Sequence, residues 1–188
     1  MDQLPTEFKA FRVECIWLKQ CHFTFEQMFE SDQHTAQLLH DTAPLFFNDL
    51  NHILIEYIFL QVCKITDPAT AGKRSNVTLP YLNQKLEQHH LFTNEIKEYS
   101  DEILRYRSLV QTARNRLVSH LDMESVLAAE SLGLHQPEDV VNFFECLQKY
   151  CDAVGRNIGV GPLDFSHPGC SGDVLDLIQK LKFAKQNC

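Results

Sequence analysis

Glycine and proline are scarce in this sequence, with seven of each among 188 residues, whereas phenylalanine alone occurs 13 times. Few turn-forming residues and many large apolar ones argue against a many-stranded sandwich or barrel and favour few, long elements. Long apolar runs are also missing, because the most apolar stretch, Ile53 to Cys63, is interrupted by Glu56 and Gln61. A membrane span needs about 18 consecutive apolar residues, so we expect none.

Cysteine pairs with metal-binding spacing are absent, and so is a secretory leader. The seven cysteines are an odd number, and no two of them have CxxC spacing. The first residues carry neither a basic lead nor an apolar signal core. The sequence therefore predicts reduced, buried thiols in a cytoplasmic protein that needs no metal and no cofactor.

An excess of positive charge is lacking as well. Lys and Arg number 17 against 25 Asp and Glu, which gives a net charge of −8. Because a general nucleic-acid binder usually carries a positive field, any RNA contact here must be local. The composition, 44% apolar and 22% charged, is otherwise that of an ordinary globular protein. The length suits one compact domain, or a domain with a short appendage, and not two large domains.

Apolar residues recur at steps of three and four along most of the chain, which is the spacing of one helical face. Pro44, Pro80 and Pro137 each mark the start of a helix, since proline is tolerated in the first turn but not inside a helix. We predict an all-α fold: an antiparallel helical bundle over residues 1–155, then an irregular connection and a C-terminal helix over residues 156–188.

Helix boundaries follow from the same pattern. Thr6 is the predicted N-cap of the first helix, and Asp41 or Thr42 the predicted cap of the helix that runs to about Thr66. That long helix has a broad apolar face, and the segment from Asp67 to Thr78 is the clearest loop. A further long helix is predicted from Thr93 or Asn94 to about His120.

The segment from Leu104 to Leu121 differs from the rest of the chain, because it holds four arginines and no acidic residue. A charge run on a helix is usually a solvated face. Two details favour a functional face: the run ends in His120, and Arg114 lies on or beside the apolar stripe, where a cation is costly without a partner. The four arginines are Arg105, Arg107, Arg114 and Arg116.

Histidine exchanges protons near neutral pH, and arginine is a permanently charged fork matched to phosphate oxygens. With Asn115 beside them, these groups suffice for attack of a ribose 2′-OH on the neighbouring phosphate without a metal. At about 100° per residue, Arg116 shares the face of His120, whereas Arg114 and Asn115 point elsewhere. A symmetric dimer, in which two copies of the segment form one cleft, would bring the set together.

The run Arg114-Asn115-Arg116-Leu117-Val118-Ser119-His120 resembles the Arg-Asn…His signature of the HEPN superfamily (higher eukaryotes and prokaryotes nucleotide-binding). Four further segments are similar to the abortive-infection HEPN-like subgroup, and the resemblance spans roughly Phe8 to Val154. These segments are Thr42-Ala43-Pro44-Leu45-Phe46-Phe47, Ile65-Thr66-Asp67-Pro68, Asn76-Val77-Thr78-Leu79 and His120-Leu121-Asp122.

The resemblance implies a helical bundle that dimerises through the motif helices. It also implies a metal-independent endoribonuclease, often a toxin or antiphage effector. It assigns catalysis to Arg114, Asn115 and His120, and we add Arg116 and Arg107 as candidates for substrate binding. The implied partners are RNA, a second copy of the chain and an antitoxin or regulatory protein. Single-stranded RNA is favoured because its bases are unstacked and its 2′-OH is accessible.

Two alternatives stay open at this stage. Many HEPN proteins have lost catalysis, so the same face is consistent with a non-catalytic module that binds a nucleotide, an RNA or a protein. A purely structural dimer is the other, with Arg114 and Arg116 paired to Asp122 and Glu124 of a second copy. One HEPN subgroup has a tyrosine at the position of Asp122, and a partner nucleotidyltransferase modifies that tyrosine. Because this chain has an aspartate there, we do not expect this mode of regulation.

Overall fold

The computed structural model of the chain describes residues 3–72, 74–119, 136–165 and 170–186, without the side chains of residues 71, 74 and 112–119. Within these ranges the chain is largely helical, which confirms the predicted all-α fold class. The β structure in them is one short antiparallel ribbon inside the predicted loop, with Thr70 paired to Ser75.

Three helices begin at or next to a proline, as the sequence predicts. α3 and α6 start at Pro44 and Pro137, and α4 has Pro80 in its first turn. The elements are α1 (Leu4–Phe25), a π-helical turn (Glu26–Glu30), α2 (Gln33–Thr42), α3 (Pro44–Thr66), β1 (Thr70–Ala71), β2 (Arg74–Ser75), α4 (Leu79–Gln88), α5 (Asn94–Ser119), α6 (Pro137–Ile158) and α7 (Val174–Gln186).

Two predicted helix caps are wrong. α1 begins at Leu4, so Thr6 lies inside its first turn. α2 extends through the predicted cap residues to Thr42, and Ala43 alone separates it from α3. The Ala43 N–H donates to the Leu39 carbonyl, and the Ala43 carbonyl accepts from the Phe47 N–H. One residue therefore closes the first helix and opens the next, which leaves no room for a separate side-chain cap.

The packing divides the chain into two compact units. The first contains Met1–Ile16 and Phe59–Phe165, and the second contains Trp17–Ile58 and Ser166–Cys188. Helices α1 and α3 each contribute residues to both units. The domain boundary predicted after residue 155 stays a prediction.

In the first unit, α5 and α6 form an antiparallel pair. Arg156 of α6 binds Glu95 at the start of α5 through two contacts of 2.8 and 2.9 Å. Further along α5, the ring of Tyr106 packs on that of Phe143, with centroids 4.6 Å apart. The start of α5 thus lies beside the end of α6, and the middle of α5 lies beside the first part of α6. The two helices therefore run in opposite directions.

A buried polar chain ties α4, α5 and α6 together inside the first unit. The hydroxyl of Tyr150, which is fully buried, donates to Asn83 Oδ1 at 2.8 Å. Asn83 Nδ2 in turn donates to the hydroxyl of buried Ser100 at 2.6 Å. Burial raises the pKa of Tyr150 well above its ordinary value, so this hydroxyl stays a donor. Each of these three side chains therefore has a hydrogen-bond partner, as a packed polar core requires.

The second unit has a core of its own, built by the π-helical turn, α2, α3 and α7. Asp32 caps α2 by accepting from the Thr35 N–H at 2.7 Å, and Asp173 accepts from the N–H groups of the first turn of α7. Lys185 of α7 forms an ion pair with Asp41 of α2. The core residues are Met28, Leu38, Leu39, Phe47, Val174 and Ile178.

The broad apolar face predicted for α3 is only partly buried. Phe47 and Ile58 are buried, but Phe46 and Ile53 keep 61% and 60% of their surface exposed. The buried side of the helix is narrower than its apolar side. An apolar sequence pattern does not show how much of a helix face the neighbouring elements cover. Tyr57 is half-buried, and its hydroxyl accepts from Trp17 Nε1 at 2.7 Å.

Candidate nucleic-acid interface

Helix α5 separates its charges along its length. Its first half is rich in carboxylates. The part of the helix that follows Glu102 contains arginines and no acidic residue. This order matches the helix dipole, which favours negative groups near the N-terminus and positive groups near the C-terminus. The buried positions of the described part repeat at helical spacing and are Ile96, Ser100, Ile103, Tyr106 and Val110.

The C-terminal end of α5 contains three of the sequence-predicted site residues. Because the helix continues without interruption to Ser119, Arg114, Asn115 and Arg116 all lie on it. Their side chains are outside the described part of the structure, and His120 lies outside the described residues. Their assignment to catalysis and substrate binding stays a prediction.

Arg107 is the predicted substrate-binding residue whose side chain the structure describes. Its Nη2 lies 2.9 Å from Asp67 Oδ1, and 23% of the side chain is exposed. Its Nε is buried and has no hydrogen-bond partner among the described residues. Position 114 is seven residues further along, so the two arginine positions differ by only about 20° around the helix axis. Arg107 therefore marks the side of α5 on which the motif begins.

Arg105 has a different setting from Arg107, although the two are neighbours in the same arginine-rich run. Its Nε donates to Glu102 at 2.9 Å and its Nη1 to Asp139 at 3.1 Å. These hydrogen bonds raise the pKa of the guanidinium above its ordinary value. Arg105 thus links α5 to the first turn of α6, and its charge is balanced by two carboxylates.

Asp67 is the partner of a predicted site residue, and sequence reasoning did not identify it. It follows α3 directly, and its partner Arg107 is 40 residues away in the chain. Its four-residue segment, Ile65 to Pro68, was one of those that resemble the abortive-infection subgroup, but nothing in its spacing pointed to α5. The ion pair brings the end of α3 against the arginine-bearing face of α5.

Other candidate chemistry does not gather into a site in the described ranges. Five described cysteines are buried and Cys170 is exposed. Burial raises the pKa of the Cys15 thiol well above its ordinary value, which keeps it protonated and unreactive. Within the same ranges, no three His, Cys, Asp or Glu side chains converge as a metal site. His89 is the C-cap of α4, and the following His90 has a left-handed backbone with φ of 58°.

Across the described residues, we find no helix with the length and apolar content that crossing a membrane requires.

Comparison with known proteins identifies the family of the chain. A family model described as AbiU2, of the HEPN group (HEPN_AbiU2), matches residues 1–177. Searches of the curated proteins and of the solved structures find no significant match. The family match includes α5 with its motif, the predicted irregular connection and the start of α7. The chain therefore belongs to the HEPN_AbiU2 family.

Proposed function

We propose that the protein is a metal-independent endoribonuclease that cleaves single-stranded RNA as a homodimer, with a role as a toxin or antiphage effector. The observation that carries the proposal is the unbroken course of α5 to Ser119 in a chain of the HEPN_AbiU2 family. Arg114 and Asn115 therefore lie on one continuous helix, and His120 follows its last residue. The local run of arginines supplies the positive charge that the acidic chain otherwise lacks.

The proposed reaction is attack of a ribose 2′-OH on the adjacent phosphorus. His120 takes the proton of the 2′-OH as general base, and the new P–O2′ bond forms as the P–O5′ bond breaks. A second proton transfer, from the protonated imidazole, neutralises the leaving 5′ oxygen. Arg114 stabilises the charge that builds on the phosphoryl oxygens, and Asn115 orients the substrate by hydrogen bonding. The products are a 2′,3′-cyclic phosphate and a 5′-hydroxyl.

The angles of the helix support the pairing of two copies. Successive residues of a helix differ by about 100°, so Arg114, Asn115 and His120 would not all face one small ligand from a single ideal helix. A twofold axis next to the end of α5 would place a second set of the same groups opposite the first. The proposed active site is therefore shared between two protomers.

The test of this proposal is incubation of the purified full-length protein with single-stranded RNA in excess EDTA. We expect endonucleolytic cleavage and fragments that end in 2′,3′-cyclic phosphates, identified by mass spectrometry. The matched DNA oligonucleotide lacks the 2′-OH and should stay intact. RNA binding without cleavage, or cleavage that EDTA abolishes and magnesium restores, would contradict the proposal.

The contact between Arg107 and Asp67 gives a separate prediction about RNA affinity. Asp67→Asn removes the carboxylate charge beside Arg107 and leaves the guanidinium free to meet a phosphate. In the His120→Ala background, where RNA is not consumed, we expect severalfold tighter binding from this change. Adding Arg107→Ala to this Asp67→Asn, His120→Ala protein should abolish the gain and reduce the slope of log K against log salt by about 0.7, the value for one phosphate contact on a single strand.

Glu95→Gln is the matched control for Asp67→Asn. Glu95 is also an exposed carboxylate paired with an arginine, Arg156, so its replacement changes the net charge by the same amount. It should leave RNA affinity nearly unchanged. Equal tightening by both substitutions would mean that overall charge, and not Arg107, controls binding.

A further inference from the structure

The first part of α3 has an apolar face that the described part of the chain leaves largely uncovered. Phe46 and Ile53 are exposed, and Leu50 and Tyr57, on the same face, are half-buried. All four residues belong to the second compact unit, and together we call them the α3 seam. An exposed apolar patch rimmed by polar residues commonly marks an interaction site, whereas single exposed apolar residues need no explanation.

The α3 seam has the spacing of a surface that pairs with another helix. Its residues follow one another at steps of four, three and four, which is the alternation of the a and d positions in a coiled coil. At about 100° per residue, the four positions lie within about 60° of one another around the helix axis. They extend over about 16 Å of the helix. The surface therefore suits one helix of a partner lying along α3.

Trp17 of α1 widens the α3 seam at its Tyr57 end. Its Nε1 donates to the Tyr57 hydroxyl at 2.7 Å, while 47% of the residue stays exposed. The hydrogen bond holds the two side chains together and satisfies the indole donor, so a partner can cover the rings without leaving that donor unpaired. Tryptophan and tyrosine are among the residues that carry most of the binding energy at protein interfaces. This aromatic pair is therefore the expected anchor of the contact.

Two carboxylates border the α3 seam on the side away from buried Phe47. Asp49 and Glu56 are exposed, lie seven residues apart, and form no ion pair with any described residue. If α3 pairs with a helix through the seam, both carboxylates occupy flanking positions, at which charges select the partner helix. A helix with Lys or Arg at the facing positions would be attracted, and an acidic helix would be repelled. The seam therefore selects a basic partner.

The same carboxylates disfavour a second copy of the chain as the occupant. If two α3 helices paired antiparallel about Ile53, Asp49 of one copy would lie beside Glu56 of the other, so that like charges would meet at both ends. A parallel pair would bring Leu54 and Gln61 to these carboxylates and no basic residue. Residues 120–135, which lie outside the described ranges, contain three acidic residues and no Lys or Arg, so they lack the required charge as well.

We propose that the α3 seam binds an amphipathic helix of another protein, with large apolar residues at its a and d positions and Lys or Arg beside them. The helix lies along α3, covers Phe46 and Ile53, and meets the aromatic pair of Trp17 and Tyr57. Its basic side chains, about two turns apart, pair with the two carboxylates that border the seam. This assignment depends on none of the arginines of α5, so its test and the test of RNA cleavage are independent.

Two designed peptides are a matched pair of probes for this site. Each has three heptads with Leu at a and d, and the flanking e and g positions are Lys in one peptide and Glu in the other. Fluorescence anisotropy with the full-length protein should show that the Lys peptide binds and that salt weakens it. The Glu peptide should bind at least about tenfold more weakly. Amide chemical shifts caused by the Lys peptide should centre on residues 46–57. No binding of the Lys peptide, equal binding of both peptides, or shifts centred elsewhere would overturn the proposal.

Ile53→Ser removes the apolar contact at the centre of the seam without changing the charge. It should weaken binding of the Lys peptide about tenfold, and it should fold, since 60% of the residue is exposed. Phe183→Ser on α7 is the control, because Phe183 is also an exposed apolar residue and lies outside the seam. This control should bind the Lys peptide like the wild type. Unchanged binding in Ile53→Ser would refute the site.

Asp49→Asn combined with Glu56→Gln tests the charge selection. The double variant should bind the Lys peptide about tenfold more weakly and should no longer distinguish it from the Glu peptide. Glu87→Gln combined with Glu98→Gln is the control, because both are exposed carboxylates on other helices and their loss changes the net charge by the same amount. Equal weakening by the two double variants would mean that overall charge, and not the border of the seam, selects the peptide, and the proposal would fail.

Sedimentation of the wild type and of Ile53→Ser tests the alternative occupant. Both proteins should have the same oligomeric state, because the seam is reserved for a different protein. Dissociation of Ile53→Ser into smaller species than the wild type would show that a second copy covers the seam, which contradicts the proposal.

Discussion

Replacement of His120 by alanine is expected to slow RNA cleavage in EDTA by about 10²–10⁴-fold, the range that a general acid–base group contributes. Arg114→Ala should slow it by about 10²–10³-fold, because the phosphoryl charge of the transition state then lacks its principal donor. Both variants should melt at nearly the wild-type temperature and keep the oligomeric state of the wild type. The measurement is the initial rate of cleavage of a fluorescent single-stranded RNA.

His52→Ala and Arg156→Ala are the matched controls for these two variants. His52 is an exposed histidine on α3, and Arg156 is an exposed arginine whose partner is Glu95. Neither belongs to the proposed site, so both should cleave RNA at the wild-type rate. Unchanged cleavage in His120→Ala and Arg114→Ala would refute the assignment of catalysis to α5 and the residue after it.

Mixing the two inactive variants tests the shared site separately. If the imidazole of one protomer works with the guanidinium of the other, a mixed dimer contains one intact pair of groups. Activity should then reappear when His120→Ala and Arg114→Ala are exchanged into the same dimer. No recovery, with dimers shown to exchange, would contradict a site that combines groups from both protomers.

Local signals in the sequence were sufficient to predict where several helices begin. Pro44 and Pro137 mark true helix starts because the proline ring fits the first turn and excludes the interior. The prediction that α5 begins at Thr93 or Asn94 agrees with the structure, where Thr93 Oγ1 accepts from the Ile96 N–H at 3.3 Å. The resemblance to the HEPN group is confirmed by the family match over residues 1–177.

Features that depend on distant contacts were not predictable in the same way. Arg105 and Arg107 look alike in sequence, yet one is balanced by Glu102 and Asp139 and the other by Asp67. An apolar pattern likewise gave Phe46 the same status as Phe47, although the first is exposed and the second is buried. Such distinctions arise from which helices pack together, and side-chain periodicity carries no information about that.

Gly155 shows the same limit, because the sequence predicts that the helical bundle ends at this residue. α6 instead continues to Ile158, and Gly159 ends it with a left-handed backbone, at φ of 71°. The chain then turns back, so that the Val160 N–H donates to the Gly155 carbonyl at 2.8 Å. This is the hydrogen bond of a helix end closed by a left-handed residue. This turn places the backbone of Val160 against α6, at the point where a side chain of residue 155 would lie.

Gly155→Ala is therefore expected to destabilise the protein by about 1–3 kcal/mol, the usual cost of overpacking. An added Cβ would lie 2.6 Å from the Val160 carbonyl oxygen and 3.8 Å from a ring carbon of Phe8. The oxygen belongs to the backbone and cannot rotate away, so the clash outweighs the gain of up to about 1 kcal/mol that alanine brings to a helix.

The measurement is the free energy of unfolding from urea titration, with Gly161→Ala as the control. A Cβ at Gly161 meets nothing within 4 Å, and its carbonyl still accepts from Arg12 Nη1 at 2.7 Å. That variant should differ from the wild type by less than about 0.5 kcal/mol, as exposed substitutions do. Equal stability of the two variants would mean that residue 160 does not fold back on α6, and that the helix end lacks the close approach that demands glycine.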